Sequence, residues 1–92
     1  MKFQWDSGKA KTNISKHGVP FESVTEFDFT SAMIEVDDRR DYGEERLVAV
    51  GFIGPRVVVL VYTERGDAVR VISLRKANEK EIGRYVDYIQ KA

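Results

Sequence analysis

Ninety-two residues without cysteine, with fifteen basic and fifteen acidic side chains, make one small domain and exclude both a disulfide framework and a thiolate metal site. His17 is the one histidine, which argues against a closed zinc site inside a single chain. No segment approaches transmembrane length and the N-terminus lacks the apolar stretch of a signal peptide, so a soluble cytoplasmic protein with no membrane role is expected.

The neutral total conceals an uneven distribution. Residues 1–17 carry a net +3, residues 18–53 a net −6 and residues 54–92 a net +3. If the two basic ends meet on folding, a neutral protein can present a cationic surface. A well-mixed solvated surface is the competing reading.

In chain order, Lys2 to Trp5 is a strand candidate with Phe3 and Trp5 on one side. Asp6 or Ser7 can cap a helix whose inward marks are Ala10, Ile14 and His17, and Gly18 supplies the left-handed stop. Pro20 suits the first turn of a second short helix that buries Phe21, Val24 and Phe27. Ala32 to Val36 reads as a strand and Asp37 to Glu45 as a polar loop. Arg46 to Ile53 reads as a strand with Leu47, Ala49, Gly51 and Ile53 on one face, closed by the turn Gly54-Pro55.

Val57 to Val61 is a short β-branched run with the look of a strand covered on both faces. A polar connection, Thr63 to Asp67, joins it to Val69–Leu74 in a β-hairpin. Asn78 and Glu81 then form the two ends of a capping box. Ile82, Tyr85, Val86 and Ile89 lie on one stripe of the last helix, placed to dock on the sheet. The fold expected is α+β: strand, helix, helix, an antiparallel β meander and a C-terminal helix, all in one domain over residues 1–92.

No phosphate-binding glycine loop, metal-spaced carboxylates or familiar catalytic triad is present. The hairpin nevertheless carries Arg56, Tyr62, Arg70, Arg75 and Lys76. Arginine forks suit phosphate oxygens, and a tyrosine ring can stack a base. By strand parity Arg70 shares a face with Leu74 and Arg75 does not, so the two meet one ligand only if the strand ends or bulges near Leu74. Glu44 and Arg46, two apart, are a surface ion pair or a base beside a phosphate clamp. Lys16-His17 ends the first helix, where His17 is either a packed residue or a proton donor.

The chain resembles the BrnT family of toxins from BrnT–BrnA type II toxin–antitoxin modules. The residues that carry the likeness are Phe3-Gln4-Trp5-Asp6, Lys9, Asn13, Lys16-His17-Gly18-Val19 and Phe21-Glu22. They continue with Gly43-Glu44, Arg46, Gly51, Val61 to Asp67, Arg70, Ile72-Ser73, Arg75-Lys76-Ala77, Glu81 and Tyr85. The chain departs from the family pattern at Phe27-Asp28-Phe29-Thr30, where Asp-Pro is common. It departs again at Asn78 to Gly83, which is less basic than usual.

The resemblance implies a RelE-like fold and a ribonuclease that cleaves RNA without a metal or other cofactor to inhibit translation. A cognate BrnA-type DNA-binding antitoxin would neutralise it in a hetero-oligomer, with a homodimer left open for the toxin alone, and would bring it to operator DNA. Arg70 and Arg75 would hold the scissile phosphate, with Glu44 or His17 as base or acid. Lys16, Arg46, Tyr62, Lys76 and Tyr85 would bind substrate. The alternative is a RelE-like module that has lost catalysis and only partners an antitoxin or DNA-binding protein.

Overall fold

The computed structural model describes residues 1–91. Local signals set the element ends. Helix α1, Ser7–His17, starts where the Asp6 carboxylate accepts the Lys9 N–H at 2.9 Å. It stops at Gly18, whose φ of 69° lets its N–H reach the Ile14 carbonyl at 2.8 Å, a conformation a Cβ would penalise. A 3₁₀ helix, Phe21–Glu26, follows Pro20. Helix α2, Glu79–Lys91, opens on the expected box: Asn78 Oδ1 accepts from Glu81 N at 2.8 Å and Glu81 Oε1 from Asn78 N at 2.9 Å.

The strands are β1 Lys2–Gln4, β2 Met33–Asp37, β3 Arg46–Ile53, β4 Arg56–Arg65 and β5 Ala68–Lys76. They form one sheet in the order β1-β5-β4-β3-β2, antiparallel except where β1 runs parallel to β5. The architecture is α+β, with the meander in the middle and helices before and after it. The β4–β5 connection is shorter than the polar stretch suggests. β4 continues to Arg65, and Thr63 is a buried strand residue.

Two unlike faces result. On the closed face, Val58, Leu60 and Tyr62 of β4 meet Phe21, Val24 and Phe27. Phe21 and Leu60 have no exposure at all, and each such side chain contributes roughly 1.5–3 kcal/mol of burial. Gly51 makes room here: a Cβ would stand 2.9 Å from Phe27 Cζ and 3.1 Å from Ala32 Cβ. On the open face, α2 covers only one end, where Tyr85 packs on Val50 and Val59.

Both long helices dock differently from their apolar spacing. In α1 Ala10 packs against the core as expected and Asn13 is buried, while Ile14 and His17 are exposed. Asn13 Nδ2 donates to Leu74 O at 2.6 Å and Val19 O at 2.9 Å, and Oδ1 accepts from Leu74 N at 3.2 Å. β1 pairs with β5 only as far as Arg70, so the Asn13 amide stands in for a missing strand at Leu74. In α2 Tyr85 is fully buried, yet Ile82, Val86 and Ile89 remain more than a third exposed.

Candidate functional site

The pairing of β4 with β5 slips by one residue at Val61/Tyr62: Val61 lies opposite Ser73, and Tyr62 opposite Val71. Ile72 is the extra residue of a β-bulge. Before the slip Arg70 lies opposite Thr63, and after it Arg75 lies opposite Val59. Thr63 and Val59 are four apart on β4, so both arginines stand on the open face. The condition that strand parity imposed is met by the bulge. Arg75 reaches this face from within β5, not from beyond its end.

Other cations join them. Asp37 pairs with Arg46, and Leu47 with Tyr62, which puts Arg46 beside Thr63. Arg46 and Arg70 therefore flank Thr63 in one cross-strand row, with backbones about 10 Å apart, two strand spacings. Arg70 donates only to the neutral Gln4 Oε1, at 3.2 Å. The Arg46 guanidinium lies 3.9 Å from the centre of the Tyr42 ring, and its Nε is buried with no partner among the described residues. Neither cation is neutralised by a carboxylate among the described residues.

The remaining arginines of this face are held by acids. Arg75 donates Nη1 and Nη2 to the two Glu81 oxygens at 2.8 and 2.7 Å. This contact holds the Glu81 carboxyl below its ordinary range and raises Arg75, with burial opposing both shifts. Arg39 grips Asp37 through Nε at 2.8 Å and Nη2 at 2.9 Å, and the Tyr42 hydroxyl adds a 3.3 Å bond. The fork from Arg39 lowers the Asp37 carboxyl to about 2. Between Arg39 and Arg75 lies a cleft of about 300 Å³ with Val48, Val59 and Val61 at its base.

The structure splits the expected site residues into groups. Arg46, Arg70 and Arg75 share the open face. Glu44 approaches it through Arg65, 3.3 Å away, whose parity matches Thr63. Lys16 and His17 line a separate depression of about 440 Å³ against Ile72 and Ser73, across the β5 edge.

Three expectations need correction. Tyr62 is buried on the closed face against Phe29, so its ring is unavailable for stacking a base. Tyr85 is sealed in the α2 core with its hydroxyl donating to Ser31 O at 3.0 Å, so it is structural. Lys76 lies opposite Val58 and lines a groove with Arg56 on the other face, away from the arginine row.

Arg39, Tyr42 and Glu81 also belong to this face, though nothing local marks them for it: the first two sit in a loop without periodicity, and Glu81 reads from the sequence as a cap. Among the described residues no group of three His, Asp or Glu side chains is placed to hold a metal ion. No helix there is long and apolar enough to cross a membrane.

No curated protein matches the chain. A family model, described as ribonuclease toxin, BrnT, of type II toxin–antitoxin system, matches residues 5–81. That span contains α1, the arginine row, the bulge and Glu81. The chain thus belongs to the BrnT family of ribonuclease toxins of type II toxin–antitoxin systems.

Proposed function

We propose that this protein cleaves RNA on the open sheet face by metal-independent attack of a 2′-hydroxyl on the neighbouring phosphorus. Such a reaction needs a base, an acid and cations aimed at the charge that develops on phosphate oxygens. The observation that carries the reading is the bulge, which gathers Arg70 and Arg75 on the face that already holds the unneutralised Arg46. Arg70 and Arg46 grip the scissile phosphate and stabilise the charge that develops on it, while Arg75, held by Glu81, orients the adjoining nucleotide. Glu44 is the better base, because its ion pair with Arg65 brings it to the same face, one cross-strand row from Arg46 and Arg70. Lys16 and His17 serve the flanking RNA from beyond β5.

The wider reading is a RelE-like cytoplasmic toxin that inhibits translation. A BrnA-type antitoxin neutralises it in a hetero-oligomer and takes it to operator DNA. Expression of the chain alone should arrest growth, and the purified chain should cut RNA in the presence of a chelator. Arg70→Ala and Arg75→Ala proteins that stay folded yet arrest growth like the parent would sink the assignment.

One feature favours a non-cutting binding module instead: Glu81 already occupies the Arg75 fork. An inert chain that still binds its antitoxin would establish that reading.

A further inference from the structure

We infer that the cleft between Arg39 and Arg75 is a base-recognition site that selects guanine in single-stranded RNA. The inference rests on the RNA reading above and assigns the substrate preference of that same face.

The cleft unites three things. Its base is apolar, made by Val59 and Val61 with their neighbour Val48, and suits the flat surface of a heterocycle. Its volume of about 300 Å³ lies at the small end of ligand sites, enough for one base rather than several. Its walls carry donors and acceptors together, and the acids Asp37, Glu81 and Glu35 are matched by Arg39, Arg75 and Arg84. Its lining holds the carboxylates of Glu35, Asp37, Asp38 and Glu81 against the two arginines Arg39 and Arg75, which makes it a poor phosphate trap. The uncompensated charge for phosphate lies one row away, at Arg46 and Arg70.

The donors are preorganised. Arg39 is anchored by Nε and Nη2 and Arg75 by Nη1 and Nη2, so among the described residues Arg39 Nη1 and Arg75 Nε have no hydrogen-bond partner. Each fork is fixed by a carboxylate before any ligand arrives, so little ordering remains to be done on binding. An acceptor-rich edge fits between the two guanidinium groups that wall the cleft.

The acceptors are Asp38 and Glu35. Among the described residues no hydrogen bond engages the Asp38 carboxylate, and Glu35 gives Oε1 to Arg84 at 2.9 Å, leaving Oε2. Guanine alone among the four bases offers two acceptors, O6 and N7, on one edge and two adjacent donors, N1–H and N2–H, on the next. Arginine pairs with the first edge and a carboxylate with the second. Uracil and cytosine lack N7, and adenine offers an acceptor at N1 where the carboxylate needs a donor.

The test uses the full chain and short oligoribonucleotides carrying 2′-O-methyl groups throughout, so that binding is read without cleavage. The oligomers differ only at a central G, A, C, U or inosine, and affinity is read by fluorescence anisotropy. A good base contact discriminates by about 1–3 kcal/mol, so G should bind roughly 5- to 150-fold more tightly than A, C or U. Inosine, which lacks the 2-amino group, should fall between.

Asp38→Asn, an exposed loop change, should erase most of the preference, and Arg39→Gln should do likewise. Arg70→Ala should weaken all five oligomers alike. Equal affinity for the five, or a G preference that survives both Asp38→Asn and Arg39→Gln, would overturn the inference while leaving the RNA reading intact. Failure of the parent to bind any of the oligomers or to cleave unmodified RNA would instead defeat the RNA reading.

Discussion

The two faces of the sheet use the same strands for opposite ends. The closed face is filled by Phe21, Val24, Leu60, Tyr62 and Leu74, none more than slightly exposed, so its residues answer to packing. The open face keeps Arg46 and Arg70 without a carboxylate partner among the described residues, and α2 packs on it only at the Tyr85 end. A small domain can therefore put its stability on one side of a sheet and its charge on the other. The alternation of side chains along a strand makes the separation possible.

That division can be broken from either side. Phe21→Ala on the closed face should cost about 3–5 kcal/mol in urea unfolding, because it leaves a large cavity in a fully buried site. A loss below about 1 kcal/mol would show that the closed face is not the main core. Next in size, Arg70→Ala should lower the rate of RNA cleavage about 10²–10³-fold, as expected for removal of one preorganised charge. Its unfolding midpoint should barely move, since Arg70 donates only to Gln4. Equal loss of stability and activity would erase the distinction between the faces.

Asn13→Ala tests the seam between α1 and β5. It leaves the Leu74 N–H and C=O without their partner and should cost about 1–3 kcal/mol for the unmet groups. Asn13→Asp should be no milder, because a carboxylate accepts from Leu74 N but cannot donate to Leu74 O.

The smallest effect is electrostatic. Asp37 titrates near about 2 when folded against an ordinary 3.8, chiefly through the hydrogen bonds from Arg39. In that window the unfolded chain binds more protons, so the contribution is complete above 3.8 and is lost as pH falls through the folded value. Unfolding of Asp37→Asn followed from neutral to acid pH should show a shallower fall than the parent. Parallel curves would mean that the Arg39–Asp37 grip does not couple to folding.

Much of this design was legible in the chain itself. The caps at Asp6 and Asn78, the stop at Gly18 and the run Val57–Val61 act within a few residues, so pattern alone places them. Other features involve partners far apart. Asn13 meets Leu74 sixty-one positions away, and nothing in α1's periodicity marks a polar residue as its inward side. Tyr62 and Tyr85 look like stacking rings until each is enclosed, by Phe29 and by the α2 core. Arg39 and Tyr42 join the open face only because β2 brings Asp37 opposite Arg46.

The sequence by itself determined the element order, the caps and the closeness of Arg70 and Arg75 along one short stretch of chain. Their likeness to a ribonuclease toxin family was also visible there. Which way those arginines point was decided only in three dimensions. Strand parity is local, but one unpaired residue at Ile72 reverses it, and such a bulge appears only when β5 is matched against β4. That single slip turns Leu74 inward to the core and Arg75 outward to join Arg70, because each residue of register exchanges the two faces of a sheet.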